Sequence, residues 1–169
     1  MAARTSLRDY QRELAERIKS AAAGRPASKL GVQVGADAWL VDLTDAGEVI
    51  PVPPLMPVPL TRPWFRGVAN IRGRLCSIVD FPAFLDGPAT TLGEQARLLL
   101  FGDKFRISGG LLVDRSLGLR AANQLQADPT PGRVSPWQKG QFKDADGRSW
   151  RELDVARLVQ SDAFLEVAA

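Results

Sequence analysis

The sequence predicts a mostly β domain of two related lobes, each a small antiparallel barrel, on three observations. Short apolar segments of period two are punctuated by turns of Gly, Asp and Pro, the spacing of small closed sheets rather than of a helical bundle. Three segments recur in the same order 72 to 74 residues apart: Leu40-Val41-Asp42 with Thr44 returns as Leu112-Val113-Asp114 with Ser116, Pro63-Trp64-Phe65-Arg66-Gly67 as Pro136-Trp137-Gln138-Lys139-Gly140, and Gly73-Arg74 with Asp80 as Gly147-Arg148 with Asp154. Two copies are too few for a solenoid, so the repeat implies a pseudo-symmetric pair of lobes.

Taken in chain order, Ser6 to Ala23 carries Leu7, Tyr10, Leu14 and Ile18 at helical spacing, with Ser6 and Asp9 as a capping pair and Gly24-Arg25-Pro26 as the stop. Residues 1–28 therefore read as an amphipathic helical extension expected to pack back on the body. From Lys29 the period changes to two: Leu30, Val32 and Val34 alternate with smaller or polar residues, then Gly35-Ala36-Asp37 turns into Trp39 to Leu43. Thr44 to Val49 is expected to form one helical turn. Pro51 to Pro59 holds five of the chain's 12 prolines. Because proline fixes φ and lacks a donor, this stretch reads as a stiff crossing loop rather than an interior strand; a polyproline ligand is the less favoured reading.

Gly67 to Asp80 reads as a second hairpin turning at Arg72-Gly73-Arg74, and Asp80 as the cap of a short helix through Phe84. Pro88 to Gln95 marks a boundary, giving lobes of about 29–95 and 96–160 within a domain of 29–167. Arg97 to Phe101 and Phe105 to Val113 form the next strand pair, Asn123 to Ser135 a polar loop, and Trp137 to Phe142 with Trp150 to Leu153 the last hairpin. Asp154 then caps Val155 to Val159 as Asp80 caps its counterpart. Asp42, Asp80, Asp114 and Asp154 each end a strand, which makes them capping residues before catalytic carboxylates.

With 169 residues, 45% apolar and 24% charged, the chain has the composition of an ordinary globular protein and enough length to bury a core without staples. Cys76 is the single cysteine, which excludes an internal disulfide and fits a buried thiol in a reducing compartment. No run approaches the roughly 18 apolar residues of a membrane span, and the first residues lack a signal-peptide core. A cytoplasmic location is expected. The chain has no histidine, which removes the commonest general base and any Ser-His-Asp triad. No Walker-type loop accompanies Lys104. Neither an enzyme nor a cofactor is expected.

At Phe65 to Leu75 and the Ile78-Val79-Asp80 that follows, the sequence resembles the CheW family of chemotaxis coupling proteins, whose signature is a Gly-Val-x-Asn-Leu-Arg-Gly strand and turn followed by a Pro-Ile-x-Asp-Leu strand end. Trp64 to Leu75 is most similar to the PilI-type members, the adaptors of twitching-motility systems. Gly109 to Asp114 also matches the family's Gly-x-x-Val-Asp segment, so the resemblance spans about 29–167. Ser77 stands in place of the usual proline and Ile71 in place of leucine.

This resemblance implies two five-stranded SH3-like barrels sharing a core, with short helices, and an adaptor that holds chemoreceptor cytoplasmic tips and the regulatory domain of a CheA-type histidine kinase in an array beside the membrane, in a chemosensory pathway linked to type IV pili. Carried over by position, Glu48, Gly67, Asn70, Arg72 and Gly73 are the partner-binding residues it implies. Arg72 offers a fork of five donors to an acidic partner, or pairs with an internal acid to brace the barrels, and Gly73 permits the positive φ of a tight turn. Two rivals stand beside it. Arg66, Arg72 and Arg74 near Trp64 and Phe65 suit a nucleic-acid-binding barrel that combines phosphate contacts with stacking, and the groove between barrels suits a small molecule whose nature the sequence leaves unspecified.

Overall fold

Alternation decides the first elements. In β1 (Ser28–Val34), Leu30, Val32 and Val34 turn inward, and β2 (Asp37–Asp42) returns antiparallel with Val32 opposite Trp39. Gly35 makes the turn at φ +58°, a conformation glycine adopts without cost. A computed structural model describes residues 27–129, 132 and 134–169; the expected helix from Ser6 to Ala23 lies outside them.

The expected helical turn at Thr44–Val49 is instead a turn at Leu43–Asp45 leading into β3 (Ala46–Pro51), which pairs with β6 (Arg97–Phe101) from Ala46↔Phe101 to Pro51↔Arg97. The β-branched pair Val49-Ile50 and an available strand partner outweigh the acidic spacing that suggested a helix. Pro51 ends this edge strand, where its missing donor costs no ladder bond.

The expected hairpin of β4 (Phe65–Ile71) and β5 (Arg74–Asp80) is present, followed by α1 (Phe81–Phe84) with Asp80 as its cap. A single 3₁₀ turn at Asp103–Phe105 shortens the next strand to β7 (Gly109–Val113). The strand β8 (Arg115–Ala121) was not expected from the sequence, because its Leu117 and Leu119 flank a glycine in the left-handed region (Gly118, φ +79°) and Leu119 is exposed. After β9 (Gln126–Ala127) come the hairpin β10 (Gln138–Lys143) and β11 (Ser149–Leu153), then α2 (Val155–Val159) and α3 (Asp162–Leu165).

Two mixed sheets result, ordered β3-β6-β7-β5-β4 and β8-β1-β2-β11-β10-β9. Read position by position, β3, β6, β7, β5 and β4 correspond to β8, β1, β2, β11 and β10, with parallel pairing only at β5–β7 and β2–β11. The repeat in the sequence is therefore a repeat in the fold. Each sheet also curls to meet itself: beyond β3, Met56 exchanges two backbone bonds with Val68 of β4 (2.8 and 2.9 Å), and beyond β8, β9 pairs with β10.

The sheets do not divide at Pro88–Gln95. One takes residues 46–113 and the other 28–42 with 115–153, so each half lends its first hairpin to the other half's sheet. This exchange produces a shared core, in which Val32, Trp39 and Val41 pack with Val79, Leu99 and Leu111 beneath Phe81, Leu158 and Phe164. Smaller clusters fill each sheet, around Ile78, Leu98 and Leu112 in one and Leu40 and Trp150 in the other. Cys76 is buried in the former.

Asp80 and Asp154 cap α1 and α2, accepting from Ala83 N and Arg157 N at 3.4 and 2.9 Å. Asp42 and Asp114 do not cap helices, correcting the reading of all four as caps. Asp114 accepts from Gly35 N at 2.6 Å, and Asp42 pairs with Lys29 and Lys139, because both strands run on into further strands and expose no free helix N-terminus.

Candidate partner-binding site

The turn between β4 and β5 is two residues long, and φ is positive at both Arg72 (+52°) and Gly73 (+80°), as a type I′ hairpin turn requires. The glycine was legible from that need; the left-handed arginine was not. Asn70 secures the turn, its Oδ1 accepting from Gly73 N at 2.9 Å. Its role in the free protein is thus internal.

Arg72 projects from this turn toward Glu48. Its two terminal nitrogens donate to the two carboxylate oxygens at 2.7 and 2.6 Å, the parallel geometry that suits guanidinium to carboxylate. The side chains remain 73% and 38% exposed, so the pair is open to solvent and to a partner. The hydrogen bond from Arg72 holds the Glu48 carboxyl below its ordinary pKa, and the same bond raises that of Arg72. Glu48 lies on β3 and Arg72 next to β4, the opposite edges of the five-stranded sheet. The acid is therefore internal to one barrel and closes it, rather than bracing two barrels against each other. A bulge at Gly47, where a Cβ would meet Phe101 O at 2.8 Å, sets the register that brings Glu48 there.

Gly67 does not join this group. It is buried at φ +109°, and a Cβ there would approach Met56 O to 2.0 Å. Its place is at the bond pair that closes the sheet.

Residues not anticipated complete the surface. Arg74 approaches Asp103 at 3.8 Å and donates to Ser108 Oγ at 3.2 Å, and Leu75 is 61% exposed beside it. Period-two alternation carried the signal for Leu75, since buried Cys76 and Ile78 put Leu75 and Ser77 on the outer face. Arg74, Asp103 and Ser108 line a cleft of about 250 Å³ with Ile71, Ile107 and Gly109, while Leu75 lies on the other face of the strand.

The same geometry gives the nucleic-acid reading no support, since each of the three arginines it relied on has an acidic partner. Arg66 pairs with buried Asp80 at 3.3 Å, Arg72 with Glu48, and Arg74 with Asp103.

The CheW-like domain family model matches residues 29–163, through both sheets. The chain belongs to the CheW-like family. It is 29% identical over 168 residues to protein PilI of Pseudomonas aeruginosa, covering 92% of this chain and 93% of that one. It is 28% identical over 134 residues to the chemotaxis protein CheW of Thermotoga maritima, covering 78% and 86%. The crystal structure of the scaffolding protein TtCheW from Thermoanaerobacter tengcongensis superposes with a TM-score of 0.64 over 76% of this chain and 88% of that one, at 17% identity, which establishes a shared CheW-like fold. None of these relatives supports the nucleic-acid reading. No helix among the described residues is long and apolar enough to cross a membrane.

Proposed function

We propose that this CheW-like protein is a non-catalytic adaptor that couples the cytoplasmic tips of chemoreceptors to the regulatory domain of a CheA-type histidine kinase, in an array at the cytoplasmic face of the membrane serving a pilus-linked pathway. The observation that carries this reading is that the family match runs through both halves of a doubled fold. Two similar but non-identical barrel ends allow head-to-tail contacts that can close into a ring. The similarity to PilI over nearly the whole chain favours the pilus branch.

Within this reading the exposed Glu48–Arg72 pair, with Arg74 beside it and the half-buried Ile71 and Ile107 in the adjoining cleft, is the partner-facing end of the first barrel. It joins an apolar contact to a charged fork, the combination enriched at binding hot spots. Asn70 and Gly73 hold the turn's shape, and Gly67 the closure behind it.

The direct test is capture of the kinase regulatory domain and of a receptor tip fragment by the purified full chain, each alone and then together. A ternary complex is expected. Binding to neither partner would refute the adaptor role.

A further inference from the structure

Trp64 and Trp137 occupy equivalent places in the two halves, each just before a bulged hairpin, and both close on Phe84 of α1 with ring centroids 5.1 and 5.7 Å away. Beside the three rings opens a cavity of about 580 Å³, within the usual range of ligand and side-chain pockets. It shares no lining residue with the cleft at Arg72. Asp86 and Glu166 stand exposed on its rim, and among the described residues neither has an ion pair or side-chain hydrogen bond. Arg62 is, among the described residues, the one cation on the rim without an acid.

The wall already shows what this chemistry attracts. Arg151 lies over the Trp39 ring at 5.8 Å and pairs with Asp37 at 3.3 Å, all three residues bordering the same cavity. A guanidinium is thus held there between an indole face and a carboxylate. The adjoining part of the cavity repeats those components, aromatic rings and carboxylates, without the cation. Ring faces carry negative potential and draw ammonium or guanidinium groups. An anion would meet two unpaired carboxylates against one arginine.

We propose that this cavity receives an arginine or lysine side chain from a partner protein. The cationic head sits among Trp64, Phe84 and Trp137 with Asp86 and Glu166 as counter-charges, and the methylene stem runs over Leu85 and Pro136. Arg62 is left to donate to backbone carbonyls of the inserted segment. This contact is additional to the barrel-end surface and does not depend on the identity of the kinase or receptor.

The test follows the indole N–H signals of the full chain by NMR during titration with the blocked peptide acetyl-Gly-Arg-Gly-amide, its citrulline counterpart and propionate. Saturable shifts at Trp64 and Trp137 are expected with the arginine peptide, and none at Trp150, whose indole donates to Asp144 at 2.8 Å. Citrulline should bind about tenfold more weakly, having lost the charge. The double variant Asp86→Asn, Glu166→Gln should weaken arginine binding by a similar factor, and it keeps the fold testable because both residues are exposed and asparagine tolerates the left-handed backbone of Asp86 (φ +62°). Equal binding of the citrulline peptide, shifts produced by propionate alone, or no shift at all would overturn the proposal. So would shifts that depend on protein concentration without peptide, which would make a second copy of this chain the occupant.

Discussion

Asp80 and Asp154 donate their backbone N–H groups to the carbonyls of the paired tryptophans, Trp64 and Trp137, at 2.8 and 2.7 Å. The repeat thus reaches individual hydrogen bonds, yet the two aspartates carry different loads. Asp80 is fully buried and accepts from Thr90 N, Thr90 Oγ1, Ala83 N and Arg66 at 2.9, 3.0, 3.4 and 3.3 Å, tying the Pro88–Gln95 loop to the core. Asp154 is half-buried and acts chiefly as a helix cap.

Replacing each by alanine should separate these roles. Asp154→Ala should cost about 1 kcal/mol, the usual loss of a cap. Asp80→Ala should cost about 3 kcal/mol or more, since it strands the buried Thr90 donors and the Arg66 charge together. Urea denaturation of both variants checks this, and equal losses would show that the Asp80 network contributes nothing beyond its cap.

Gly67 and Gly140 form a second equivalent pair with unequal demands. A Cβ on Gly67 would press to 2.0 Å on the Met56 carbonyl, at φ +109°, whereas on Gly140 it would first meet the Glu152 carboxylate at 2.9 Å, the end of a side chain rather than fixed backbone. Gly67→Ala should therefore lower the thermal midpoint far more than Gly140→Ala, by about 3 kcal/mol against about 1 kcal/mol in stability. Equal midpoints would mean that closure between Met56 and Val68 is dispensable.

The contrast also marks what the sequence discloses. Hairpins were readable wherever period two met a turn residue, as at Gly35 and Gly73, and both true caps were readable because a helix signal followed the aspartate. The exchange of hairpins between sheets was not readable, because pairing of β5 with β7 and of β11 with β2 depends on contacts far apart in sequence. For the same reason Asp42 and Asp114 looked like caps: their partners Lys139 and Gly35 are distant in sequence and adjacent only in the folded sheet. At the candidate site, Gly73 and Arg72 were legible from motif and turn chemistry. That Glu48 would meet Arg72 through a two-pronged pair requires the sheet to curl on itself, which no local pattern states.

Lys29, Asp42, Lys139 and Glu152 form a linked set across β1, β2, β10 and β11: Lys29 contacts both acids, 2.6 Å from Asp42, and Lys139 contacts Asp42 and lies 3.7 Å from Glu152. Burial works against the charge on each lysine, but hydrogen bonds and attraction from the acids outweigh it and raise both pKa values above 10.5. Burial likewise opposes ionisation of Asp42, and its bonds to Lys139 and Lys29 outweigh that and lower its pKa below 3.8. The lysine contribution is thus fully present below pH 10.5 and lost as pH rises through the raised values. The Asp42 contribution is present above 3.8 and lost as pH falls through the lowered one. Lys29→Met, which leaves two carboxylates sharing one lysine, should cost about 2 kcal/mol near neutral pH, with the deficit shrinking toward both extremes. A deficit independent of pH would assign the loss to packing.

Arg72 and Glu48 allow the function to be tested apart from the fold, because their pair is exposed and removing it leaves no buried charge. Exposed pairs contribute little to stability, so Arg72→Ala should leave the thermal midpoint nearly unchanged. If the fork meets a partner, the same variant should weaken binding of the kinase regulatory domain or the receptor fragment more than about fivefold. The exchange Glu48→Arg with Arg72→Glu restores an internal pair but reverses the charges shown outward, so it should recover no binding. Recovery by the exchanged pair would mean that the bridge matters only for closing the barrel end. Because Arg72 holds the Glu48 carboxyl below its ordinary pKa, the pair persists to lower pH than a free glutamate would allow and is lost as pH falls through that lowered value. Wild-type binding should fall over that same acid range, and Arg72→Ala should be insensitive there. A parallel fall in both would place the titrating group elsewhere on the interface.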